Sequence, residues 1–169
     1  NNAVSAADAT AVAVKIITPI SIVTTKGSVT GSVTRMKVKD QTGSADDPLK
    51  YVLFKTPSTV YDGYRNYTLP ATISVGNVTN IKVAVNYKGL AKSSQTWSWY
   101  LFNWVTNAWV KVGDNTGAVA NVWKSLQFNV TITPTSYVNN MTRQIRLRLV
   151  SNNASGDAKL DYEAITLTY

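Results

Sequence analysis

Ile81–Lys88 reads IKVAVNYK, and the phase of its side chains decides the fold. Ile81, Val83, Val85 and Tyr87 fall on one side of an extended chain, with Lys82, Ala84, Asn86 and Lys88 on the other. A period of two marks a strand with one buried face. The same phase recurs downstream. Leu126, Phe128, Val130 and Ile132 alternate within Trp123–Ile132. Ile145, Leu147 and Leu149 point in while Arg146 and Arg148 point out, and Lys159–Tyr169 closes the chain. Between these segments, Thr96–Trp104 is an aromatic strand that turns through Val105–Ala108 into Trp109–Val112. Upstream, Val29–Lys39, Lys50–Lys55 and Thr68–Val75 are candidate strands. A polar loop spans Asp40–Pro48, and Asp62-Gly63 carries turn chemistry.

The first 25 residues, NNAVSAADATAVAVKIITPISIVTT, stand apart. Val12, Val14 and Ile16 alternate, and Ile20 and Ile22 resume the pattern after Pro19. Proline has no N–H to give a ladder, so the strand bends or runs along an edge there. An apolar β segment at a chain end either completes its own sheet or completes another chain's. About ten strand signals without a helical period predict an all-β chain, a two-sheet antiparallel β-sandwich of jelly-roll type with an N-terminal extension strand. Residues 1–25 are the extension and candidate donor strand, and residues 26–169 are the sandwich domain.

Composition narrows the chemistry. The 169 residues suit one domain with a sizeable core. Cysteine and histidine are both absent, which removes disulfides, thiolate chemistry, the commonest general base and the commonest transition-metal ligand. Acidic residues number 9, only one of them Glu, and this argues against an enzyme. The chain opens on Asn1 rather than Met, which fits a processed, secreted product. Thr, Ser, Lys15 and Pro19 interrupt its longest apolar run, so no transmembrane segment is expected. Net charge is +8, and the basic residues are spread along the chain. That balance suits an anionic polysaccharide or cell-surface glycan, and the scatter argues against nucleic acid.

Three constellations carry possible chemistry. Trp97, Trp99, Tyr100, Phe102, Trp104 and Trp109 crowd thirteen residues. Period-two phase assigns Trp97 and Trp99 to the core, leaving Trp104 and Trp109 beside the hairpin as candidate glycan-stacking residues. Asp157 and Asp161 are candidate oxygen ligands for a structural calcium, the one cofactor the residues suggest. Asp161 and Glu163, two residues apart, are expected on one strand face. Asn66, Asn77, Asn129, Asn140 and Asn153 begin Asn-X-Ser/Thr triplets, candidate glycosylation positions on the surface.

From Gly27 onward the chain resembles a β-sandwich accessory domain of secreted bacterial proteins, a carbohydrate-binding-module-like jelly roll. The matching stretches are IKVAVNYKG (81–89), SQTWSWYLFNWVTNAWVKVG (94–113), SYVNN (136–140), RQIRLRLVSNN (143–153) and LDYEAITLTY (160–169). The resemblance carries no catalytic residues. The segment ATAVAVKIITPISI instead resembles the N-terminal strand of extracellular pilins that polymerise by donor-strand exchange.

Two readings follow. In the first, the chain is a non-catalytic extracellular subunit of a cell-surface filament. Val12, Val14, Ile16, Ile20 and Ile22 then anchor in the groove of the next identical subunit. In the alternative, it is a carbohydrate-binding module of a secreted protein. Where residues 9–24 pair decides between them.

Overall fold

A computed structural model describes residues 12–169 of the chain. The strands are β1 (Val14–Ile17), β2 (Ser21–Lys26), β3 (Ser28–Thr30), β4 (Val52–Lys55), β5 (Asp62–Thr68) and β6 (Asn80–Lys88). They continue with β7 (Trp97–Asn103), β8 (Ala108–Asp114), β9 (Lys124–Val130), β10 (Gln144–Ser151) and β11 (Ala158–Thr168). One sheet has the order β3-β4-β11-β6-β9, with β1 also paired to β11, and the other the order β2-β5-β10-β7-β8. Every pairing is antiparallel. The chain is therefore an all-β, two-sheet sandwich, as the alternation predicted.

The core is where the two inward phases meet. Ile81, Val83 and Val85 of β6 and Ile165 and Leu167 of β11 face Trp97, Trp99 and Leu101 of β7 and Ile145, Leu147 and Leu149 of β10. All are buried. Burying a side chain of this size contributes about 1.5–3 kcal/mol, so these rows dominate the stabilisation.

An ion pair sits inside this apolar layer. Arg65 of β5 and Glu163 of β11 are both fully buried. Arg65 Nε donates to Glu163 Oε1 at 2.7 Å, and its Nη2 donates to Oε2. Tyr67 Oη donates to Oε1 at 2.6 Å and Trp99 Nε1 to Oε2 at 3.2 Å. Burial opposes the charge on Arg65, but the Glu163 carboxylate outweighs it and holds the guanidinium more firmly protonated than usual.

The N-terminal segment pairs in cis. Val14–Ile17 lie against Ile165–Thr168, and Ser21–Lys26 lie against Asp62–Asn66. Residues 9–11 lie outside the described residues. Donor-strand exchange needs a strand free of its own sheets, so the filament expectation loses its structural basis. Pro19 lies in the crossover between the sheets, where the missing N–H leaves no ladder gap. The side chains also run in the other phase. Val14 and Ile16 are 58% and 56% exposed, whereas Ile17 is 8% exposed and joins the core. Val12 and Ile20 are exposed as well, and only Ile22 packs against the core.

Three further expectations change. Val29–Lys39 is not one strand: β3 stops at Thr30, Gly31 takes φ +105°, and Val33–Met36 form a 3-10 turn that buries Met36. Asp62-Gly63 is not a turn but the start of β5, which ends at Thr68, where the expected Thr68–Val75 strand would begin. Glycine is required at 63 for space. A Cβ there would lie 2.6 Å from Tyr61 Oη and 2.7 Å from the Val23 carbonyl oxygen. Finally, Asp161 and Glu163 do not share a face. The β11–β6 register shifts between Leu160 and Tyr162, and this bulge reverses the phase at Asp161.

Candidate functional site

The outer face of the five-stranded sheet carries the densest functional chemistry. Its residues are the off-phase partners of the core rows. Because Leu101, Leu147 and Leu149 point in, Tyr100, Phe102, Arg146 and Arg148 must point out. The neighbouring strands add Asp62, Tyr64 and Asn66 from β5 and Trp109 and Lys111 from β8. Trp104 follows β7 at the hairpin turn, where Asn103 Oδ1 accepts the N–H groups of Val105 and Thr106, both at 3.0 Å.

These side chains form one interlocked array. Phe102 lies edge-on to Trp104 at 4.8 Å and to Trp109 at 5.1 Å, between ring centroids. Tyr64 meets Trp109 at 5.9 Å. The Arg146 guanidinium carbon stands 4.8 Å from the Trp104 ring centre, 5.2 Å from Tyr64 and 5.9 Å from Phe102. Arg148 stands 5.4 Å from Trp109 and 5.9 Å from Tyr100. Guanidinium groups over ring faces gain cation–π attraction and stiffen the rings.

Charge is unevenly matched across the face. Arg148 makes a two-pronged bond to Asp62, Nε to Oδ1 at 2.7 Å and Nη2 to Oδ2 at 2.5 Å. The bond to Asp62 holds the Arg148 guanidinium more firmly protonated than usual, against a smaller effect of burial. At the β8 end, Lys111 and Lys92 both sit 2.9 Å from Asp114 Oδ2. Burial opposes the Asp114 charge, but bonds from Thr116, Lys111 and Lys92 outweigh it and hold its carboxyl well below the usual range.

Trp104 also forms a wall of a groove of about 550 Å³ at one end of the sandwich, with Val105, Gly76, Val138, Asn139 and Met141. The Trp104 Nε1 is buried and has no acceptor among the described residues. The two tryptophans singled out from the sequence therefore lie together, one on each side of Phe102, and both are half-buried.

The calcium candidates are not brought together. Asp157 Oδ1 accepts the Thr56 N–H at 2.9 Å. Asp161 Oδ2 accepts the N–H groups of Gln41 at 2.6 Å and Asp40 at 3.0 Å, and its Oδ1 accepts from Asn86 at 2.6 Å. Asp161 pins the 40–41 loop to β11, and Asp157, just before that strand, holds the chain leaving β4. Among the described residues, no three His, Cys, Asp or Glu side chains converge on a metal position. Of the candidate glycosylation positions, Asn77, Asn129 and Asn140 are exposed. Asn66 and Asn153 are half-buried and donate to Ser21 Oγ and the Ser94 carbonyl.

Sequence reasoning placed Arg146 and Arg148 outside but gave them no role, and it missed Tyr64 and Asp62. The alternation of β10 was the available signal for the arginines. Tyr64 carried none, because its segment read as a turn.

A family model described as the N-terminal glycosyl-hydrolase-114-associated domain matches residues 36–162. The chain belongs to this family. The matched span of this glycosyl-hydrolase-114-associated domain begins at the buried Met36 and includes β4 to β10, with β11 as far as Tyr162. It omits β1, β2 and β3, although each is paired into the sandwich.

No curated protein matches the sequence. Among solved structures, the domain is similar to the CBM22-1–GH10 modules of endo-1,4-β-D-xylanase 10B from Clostridium thermocellum, complexed with xylohexaose. The TM-score is 0.50 and the identity 15%, over 89% of this chain and 28% of that one. It is also similar to CBM35 from Cellvibrio japonicus Abf62, with a TM-score of 0.46 and 8% identity over 92% of each chain. The Stig cyclase Fisc from Fischerella sp. TAU matches with a TM-score of 0.45 and 12% identity, over 69% of this chain and 63% of that one. At these identities the likeness is one of fold. Among the described residues, no helix is long and apolar enough to cross a membrane.

Proposed function

We propose that this domain is a non-catalytic carbohydrate-binding module of an extracellular protein, and that the outer face of the five-stranded sheet is its platform. The observation that carries the reading is the Tyr64–Trp109–Phe102–Trp104 array, held in place by Arg146 and Arg148. A sugar ring presents an apolar C–H face and an equatorial rim of hydroxyls. Rigid aromatic surface takes the first, and flanking Asn, Gln and Arg groups take the second. A platform already stiffened by stacking loses little entropy on binding.

The family description supports the reading, because it places such domains in association with a glycosyl hydrolase. The sandwich shared with the xylanase modules complexed with xylohexaose points the same way. Joined to an enzyme, the domain would hold catalysis near an insoluble polymer by raising local concentration. The carboxylates of the face are engaged, Asp62 by Arg148 and Asp114 by two lysines, so binding suits this face better than acid–base work.

Affinity gel electrophoresis against a panel of soluble polysaccharides tests the reading. At least one polymer should retard the wild type, and Trp109→Ala should lose roughly tenfold or more in affinity with its near-ultraviolet circular dichroism otherwise native. Migration of the wild type unaffected by every polymer, or full retention by Trp109→Ala, would overturn it.

A further inference from the structure

We propose that Arg146 is an anion subsite at the centre of this face, and that the polymer bound there carries a carboxylate or a sulfate ester on its sugar rings. The inference rests on the platform reading above and names the substrate class for it. Three observations support it.

The first is the contrast between two arginines on one strand. Arg148 is neutralised by Asp62 through two hydrogen bonds. Arg146, two residues away on the same face, meets no carboxylate within 4 Å among the described residues. Among the described residues, the only hydrogen bond of its side chain runs from Nε to Gln144 Oε1 at 2.9 Å. Arg146 is half-buried, and among the described residues neither Nη group donates to an acceptor.

The second is preorganisation. Trp104, Tyr64 and Phe102 surround the guanidinium within 6 Å, so its plane is held before any ligand arrives. A guanidinium sheds its hydration more readily than an ammonium, and its planar fork matches two oxygens of a carboxylate or sulfate. The rings that hold it belong to the array with Trp109, so an anionic group on Arg146 leaves its sugar beside aromatic surface.

The third is the surplus of charge. Among the described residues, Arg146, Arg148, Lys111, Lys26 opposite Asp62 and the rim residue Lys92 outnumber Asp62 and Asp114 on this face, five cations against two anions. A neutral polymer gains nothing from that excess, whereas a polyanion is drawn to it.

The test measures affinity of the full chain by isothermal titration calorimetry. The probes are polygalacturonate, the same polymer with its carboxyl groups reduced to alcohols, dextran sulfate and plain dextran. Comparison within each pair reads the charge, and comparison between pairs tells carboxylate from sulfate. We expect at least one charged polymer to bind roughly tenfold or more tightly than its neutral counterpart. Arg146→Gln should remove most of that difference. Arg146→Lys should restore part of it, because charge returns without the fork. Lys82→Gln, on the other sheet, should leave it unchanged.

Equal affinity for charged and neutral partners would overturn the proposal, as would equal losses in Arg146→Gln and Lys82→Gln. Should Arg146→Gln fail to fold, a salt series on the wild type decides: affinity for the charged polymer that does not fall with ionic strength overturns it. Trp109→Ala run on the same probes separates the two ideas. Indifference of Trp109→Ala to every polymer defeats the platform reading, whatever Arg146 does.

Discussion

Glu163 and Arg65 show what a single residue costs and contributes in this core. Neither charge touches water, and the pair survives because Tyr67 and Trp99 saturate the remaining carboxylate lone pairs. Glu163→Gln keeps the shape but leaves the guanidinium uncompensated in an apolar layer. We expect it to lower unfolding stability by about 3–5 kcal/mol, read as a lower urea midpoint with an unchanged slope. A loss within experimental error would mean that Arg65 finds another partner. None of this was legible in the sequence. The lone Glu looked like half of an acidic cluster, and only the bulge at Asp161 turns one carboxylate to the core and the other to the 40–41 loop.

At the scale of the element, β1 is the telling case. It adds a short ladder to β11, extended by Ala13 and Tyr169, which exchange N–H···O bonds of 3.1 and 3.0 Å, and it places Ile17 in the core. Deleting residues 1–18 should therefore destabilise the sandwich. Losing Ile17 alone accounts for about 2 kcal/mol, and the melting temperature should fall by several degrees. Light scattering should show the same association state before and after the deletion. A truncated domain of unchanged stability that loses a polymer would restore the donor-strand reading. The apolar pattern was visible in the sequence, but its phase was not. Val12, Val14 and Ile16 alternate as well as any core row, yet Val14 and Ile16 face out, because the register sets them opposite Thr168 and Thr166, the off-phase neighbours of the core residues Leu167 and Ile165.

For the molecule as a whole, we expect the buried tyrosines to set the alkaline limit of stability. Burial pushes the Tyr61 and Tyr87 hydroxyls above their ordinary range, and burial with the nearby Glu163 charge does the same to Tyr67. A group raised in the folded state contributes stability that is complete below its unfolded value, near 10 for tyrosine, and is lost as pH rises beyond it. The fold should hold to about pH 10 and then weaken steeply, with the unfolded chain ionising first. Absorbance near 295 nm checks this. Part of the set of 9 tyrosines should titrate reversibly, and Tyr61, Tyr67 and Tyr87 only together with unfolding. Smooth titration of all nine in a still-folded protein would contradict it.

Alternation alone was enough for the sandwich, the inward Trp97 and Trp99 and the outward Arg146 and Arg148, because side-chain phase is a local property of any strand with one wet face. The aromatic face was not readable in that way. Tyr64 and Trp109 belong to β5 and β8, far apart along the chain, and they meet because β10 and β7 join those strands into one sheet whose outer face both rings reach across. Strand order, and with it the pairing of the N-terminal segment, is settled by how the whole chain buries its edges and apolar faces together, a balance that no single stretch of sequence carries.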